Sequence, residues 1–162
     1  MFKPLRTFVR LPLREQLWFV LLLPLSGLVR AMILAVPFSR YAWLLGERRG
    51  NDQLLLLADP QSEQLGWRIG RIIEQVARFT PWDSKCLVQA ILARGMCRYY
   101  RLPYVLHLGV TRNQDKGNPL KAHAWVIVGR WVIVGREGHK AFTIVSTYVT
   151  PRLLPATGQA SA

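Results

Sequence analysis

The chain has little from which to build a covalent or metal-held framework. Cys86 and Cys97 are its only cysteines in 162 residues. Placed on one helix they lie roughly 16 Å apart along the axis, beyond the reach of a disulfide. No Cys/His spacing matches a metal site, so neither metal nor cofactor is expected. Two reduced thiols fit a cytoplasmic compartment.

Acid is also scarce. Nine Asp and Glu stand against 22 Lys and Arg, a net charge of +13. Such a surplus favours nucleic acid, an anionic membrane or an acidic protein as partner. The basic residues are dispersed, however, as Arg6, Arg10, Arg14, Arg30, Arg40, Arg48, Arg49, Arg68, Arg71 and Arg78 in the first half. Without a basic stripe or a recognised motif, no nucleic-acid partner is expected.

A long uninterrupted apolar run is missing too. Residues 17–38 approach one, but Pro24 breaks it and Arg30 sits within it, whereas a span wants about 20 apolar residues without a central charge. No small-residue cleavage site closes the segment, which argues against a secretory signal. The segment reads as two short core helices, 13–23 and 25–36, meeting at Pro24 with Arg30 snorkelling outward. Insertion in a membrane, or peripheral association with one, is the alternative.

What is present has a clear order. Polar stretches 47–53 and 59–64 bracket Leu54 to Leu57 and mark a boundary between halves. Ile69, Ile72, Ile73, Val76 and Phe79 recur at helical spacing, predicting a helix stopped by Pro81. Asp83 or Ser84 can cap a second helix, whose Leu87, Val88, Ala90, Ile91, Leu92 and Met96 form a broad apolar face. Past Arg101 the pattern turns to strands, with 104–110 first and a polar loop over 111–121. A tandem repeat follows, Trp125-Val126-Ile127-Val128-Gly129-Arg130 and Trp131-Val132-Ile133-Val134-Gly135-Arg136. Gly129-Arg130 between β-branched runs is a hairpin signal. A last strand is expected over 142–149. These elements divide the chain into an apolar helical region (1–60), a core (61–150) and a loose tail (151–162). The predicted fold class is α+β, with a helix packed on an antiparallel sheet.

Two residues carry the chemistry. Cys86 opens the second helix, where unpaired N–H groups and the macrodipole favour a thiolate. Its own backbone N–H is a candidate oxyanion donor. His123 precedes an apolar strand and shares a strand face with Trp125 and Ile127, so Trp125 can shield an ion pair from water. Trp82 and Trp125 are the candidate substrate-contacting aromatics. Cys97, late in its helix and away from any base, is assigned to packing or surface. His107 reads as a solvent-facing strand residue, and His139, after Gly138, as a turn residue.

The segments Thr80-Pro81-Trp82, Cys86-Leu87-Val88-Gln89-Ala90, Leu108-Gly109-Val110 and Ala122-His123-Ala124-Trp125-Val126, taken in this order, resemble the leader peptidases of lasso peptide biosynthesis, members of the transglutaminase-like cysteine protease superfamily. Pro37-Phe38 and Leu45-Gly46 match more loosely. The resemblance implies a transglutaminase/papain-like core, with Cys86 as nucleophile and His123 as general base and acid. The reaction implied is removal of the leader from a ribosomally made precursor peptide. It further implies a small leader-recognition protein and an ATP-dependent macrolactam synthetase as partners.

The family triad ends in Asp on the strand after the histidine. Here that count reaches Gly135, and no Asp follows Asp115. Glu137 is the nearest substitute. A two-residue hairpin loop would set Arg136 opposite His123, where its charge would lower the imidazole pKa. A three-residue loop over Gly129 to Trp131, or a bulge, would set Glu137 there instead, and that register is expected. An orienting acid is worth up to ~10⁴ in rate. The expected function is a cysteine endopeptidase. The alternative, prompted by the missing Asp, is a non-catalytic scaffold presenting the precursor to the synthetase.

Overall fold

The structure is a computed structural model and describes residues 12–51, 54, 56–82, 86–112 and 120–150. Helix α1 (Leu13–Ala35) leads through a short α2 (Phe38–Tyr41) and a 3₁₀ turn (Ala42–Leu45) into strand β1 (Glu47–Arg48). Helices α3 (Pro60–Phe79) and α4 (Cys86–Tyr99) follow, then β2 (Val105–Arg112), β3 (Leu120–Val128) and β4 (Trp131–Val134). A second 3₁₀ turn (His139–Ala141) and β5 (Thr143–Val149) complete the described chain. The strands form one antiparallel sheet in the order β1-β5-β2-β3-β4, an α+β arrangement.

Residues 13–35 form one helix, not two, and Pro24 lies inside it. A proline within a helix removes its own donor and crowds the carbonyl four residues back, at about 3 kcal/mol. Here Val20 and Pro24 are both exposed, so the freed Val20 carbonyl faces outward. The opposite face, Leu22, Ser26 and Val29, stays buried on both sides of the proline, and α1 packs along α3 and α4. Continuous burial outweighs the local break.

Helix α3 begins earlier than its apolar period indicated. The Asp59 carboxylate accepts from the Gln61 and Ser62 N–H groups, each at 3.0 Å, and Pro60 occupies the first helical position, where its missing donor costs nothing. The polar stretch read as part of a boundary therefore includes the first turn of α3. Glu47 and Arg48, from the other polar stretch, join the sheet edge opposite Val149 and Tyr148. Residues 83–85, with both candidate caps of α4, and 151–162 lie outside the described residues, as does most of the expected polar loop over 111–121.

Two cores flank the sheet. On one face Leu106, Ala124, Val126, Val128 and Val134 meet Ile69, Ile73, Val76, Val88 and Leu92 of α3 and α4. Gly70 permits this approach, because a Cβ there would strike the Ile133 carbonyl. On the other face Val105, Trp125, Ile127 and Val149 pack with Leu54, Leu56, Phe142 and Ile144. His107 belongs to this second face and is 1 % exposed, not solvent-facing as its polarity led us to expect. Leu54 and Leu56 supply the cover that alternation along β2 could not reveal.

The β3–β4 turn has two residues rather than three, since Val128 pairs with Trp131. Glu63 holds it through the Arg130 N–H at 3.1 Å and Nε at 2.9 Å. A bulge then shifts the register, so that Ile127 faces Val132 but Val126 faces Val134. β4 ends at Val134, and the backbone turns away through Gly135 at φ 72.

Candidate active site

Cys86 is the first described residue of α4. The buried Val88, Ala90, Ile91 and Leu92 anchor α4 over β3 and thereby set the thiol beside the start of that strand. His123 lies there, next to Ala124, whose partner across the ladder is Leu108.

The His123 side chain and the backbone N–H groups of Ala124 and Leu87 lie by the thiol and favour its ionised form. Burial, the largest influence, works against the thiolate. The hydrogen bonds and the imidazolium charge together outweigh it, and the Cys86 pKa falls below the usual thiol range. The His123 pKa moves the other way, raised chiefly by the bond to Cys86, against desolvation, with help from Gly135. Opposite shifts in one pair favour thiolate beside imidazolium.

His123 Nε2 lies 2.9 Å from the Gly135 carbonyl oxygen. A carbonyl only accepts, so Nε2 carries a proton and Nδ1 is left for the thiol. The ring is fixed from its faces as well. Trp125 stacks at 5.9 Å and 24°, and Phe142 lies at 4.9 Å. The Gly135 carbonyl reaches this position because the left-handed backbone brings the chain against β3, where a Cβ would collide with the Ala124 carbonyl.

Cys86 and His123 open into a groove of about 970 Å³ between the end of α3, the start of α4 and the segment after β4. Gln89, Arg78, Lys121 and Glu137 line it with them. Arg136, bonded to Glu74 at 2.8 and 3.0 Å and 4.4 Å over Trp67, ties the far wall to α3. Glu137 is exposed on the groove, and among the described residues no hydrogen bond joins it to the imidazole.

The two tryptophans lie elsewhere. Trp82 donates through Nε1 to Ser26 Oγ at 3.3 Å and rests on Gly27, bracing α1. Trp125 is 3 % exposed, beneath His123 rather than on the groove surface. Cys97 is fully buried, and burial pushes its pKa up to about 12. His139 Nδ1 bonds the Arg136 carbonyl at 2.7 Å and shapes the turn carrying Glu137. Among the described residues, no three His, Cys, Asp or Glu side chains gather at metal-binding distance.

Sequence reasoning missed the Gly135 carbonyl and the Ala124 amide. Backbone groups leave no residue-type signature, and the one available sign was a glycine where an acid was expected.

The family model for the transglutaminase-like superfamily matches residues 32–147. No curated protein and no solved structure matches the chain.

Proposed function

The chain belongs to the transglutaminase-like superfamily, and from that premise we propose that it is a cytoplasmic cysteine endopeptidase that removes the leader from a lasso precursor peptide. The observation that carries the reading is the Cys86–His123 pair, with its pKa values drawn in opposite directions, at the start of a helix and open to a groove.

In the neutral pair Nε2–H donates to Gly135 and Nδ1 accepts from the Cys86 thiol. Proton transfer to Nδ1 yields the thiolate, which attacks the scissile carbonyl. In this reading the Cys86 N–H donates to the developing oxyanion. His123 returns its proton to the leaving amine, and the acyl-enzyme is then hydrolysed by water that His123 deprotonates. In this scheme the Gly135 carbonyl performs the positioning task of an acid. It fixes tautomer and ring orientation, but as a neutral acceptor it stabilises the imidazolium less than a carboxylate would.

The resemblance of the motif set supplies the substrate class, together with a leader-recognition protein and a macrolactam synthetase as partners. Mass spectrometry of a lasso precursor incubated with the protein and the leader-recognition protein tests this. Cleavage at one bond by wild type, absent with Cys86→Ala, is the expected result. A second reading, a scaffold that presents the precursor to the synthetase, is favoured by the neutral carbonyl that His123 Nε2 meets in place of a carboxylate among the described residues. Precursor retention without cleavage by wild type would support it.

A further inference from the structure

The outward face of α1 is apolar along its length. Leu13, Leu17, Leu28 and Leu34 are 77, 66, 68 and 70 % exposed, and Val20 and Leu21 are exposed between them. At 3.6 residues per turn, Leu13, Leu17, Val20, Pro24 and Leu28 form one stripe. The only charges within α1 are Arg14, Glu15 and Arg30. A surface helix ordinarily turns polar residues outward, and apolar exposure on this scale marks an interaction site.

The helix is long and apolar enough to cross a bilayer, yet its inner side is bonded to the rest of the domain. Glu15 accepts from Arg68 at 2.7 Å, Trp18 Nε1 donates to Tyr100 Oη at 2.7 Å, and Ser26 accepts from Trp82. Crossing would break these contacts and draw polar partners into hydrocarbon. Lying in the surface plane keeps them and still covers the stripe.

Charge selects the occupant. At +13, a second copy of the chain is repelled, whereas anionic headgroups are attracted. Lys3, Arg6 and Arg10 precede α1 in the sequence, Arg14 is exposed in its first turn, and Arg40 and Trp43 are exposed beyond its end. Basic residues and an exposed tryptophan flanking an apolar stripe suit the headgroup boundary of a bilayer.

We propose that the outer face of α1 docks this protein on an anionic phospholipid surface without spanning it. Flotation of the full chain with vesicles tests this, comparing phosphatidylcholine alone with a phosphatidylcholine–phosphatidylglycerol mixture. Wild type is expected to float with the anionic vesicles, to float less with the neutral ones, and to be released by alkaline carbonate. The double variant Leu17→Gln/Leu28→Gln should bind about tenfold more weakly or worse, with an unchanged circular dichroism spectrum and melting temperature, because both side chains already face outward. Equal flotation of the variant, no flotation of wild type, or retention through carbonate would overturn the proposal. So would a wild-type dimer in solution that the double variant dissolves. None of these readouts involves peptide cleavage.

Discussion

His123 and Gly135 meet side chain to backbone: the imidazole Nε2 and the glycine carbonyl oxygen are 2.9 Å apart. The histidine's second nitrogen is therefore held by a neutral main-chain acceptor, which cannot be removed by changing an acidic side chain.

This relationship gives a direct test of Glu137. If the Gly135 carbonyl orients the ring, Glu137→Gln should lower kcat/KM by less than about tenfold and leave the pH profile in place. A loss near ~10⁴ would instead assign the orienting role to Glu137.

The two thiols should differ sharply under native alkylation. Cys86 is lowered by its hydrogen bonds and by His123, against burial, whereas Cys97 is raised to about 12 by burial. Iodoacetamide should label Cys86 alone, with a rate that persists below the ordinary thiol range and declines only as the pH falls through the lowered pKa. His123→Ala should move that acid limb upward. Peptide mapping by mass spectrometry reads both results.

His107 should make the fold acid-sensitive. Its pKa is lowered from 6.5 to about 4, chiefly by burial. Nδ1 is 2.9 Å from Thr147 Oγ1, and Nε2 faces the Leu54 carbonyl without a well-formed hydrogen bond. Between those two pKa values the unfolded chain takes up a proton that the folded chain refuses. Stability is therefore full above 6.5 and declines below it, by about 1.4 kcal/mol per pH unit at most, until the folded pKa is reached. Urea midpoints across this range should show the slope for wild type and a shallower one for His107→Phe.

Gly70→Ala should lower stability by roughly 1–3 kcal/mol, because the added methyl group meets the Ile133 carbonyl and forces α3 away from β4. Thermal melting measures the loss. Gly95→Ala, on α4 where an added Cβ meets nothing, is the control and should be neutral or mildly stabilising.

The α+β class, the strands and the hairpin were legible because periods of 2.0 and 3.6 residues are imposed by burial on one face. Cys86 and His123 were legible because thiol and imidazole are rare here and their positions in the elements are chemically informative. Other features depended on contacts remote in sequence. Pro24 reads as a break until the burial of Leu22, Ser26 and Val29 on both sides of it is known. His107 reads as exposed until Leu54 and Leu56 are seen to cover it. Of the two routes to the expected register, the three-residue loop is absent and a bulge between Val126 and Ile127 is present; the tandem repeat, whose two copies share one pattern, could not choose between them.

Trp82, seated on Gly27 and bonded to Ser26, stands just ahead of Cys86 in sequence, and this has a practical consequence for anyone trimming the chain. Deleting residues 1–36 to gain solubility would strip the floor on which Trp82 rests. Inactivity of such a fragment would then report lost packing around Trp82 rather than a missing catalytic group. Polar replacements on the outer side of α1 would achieve the same solubility and leave that floor in place.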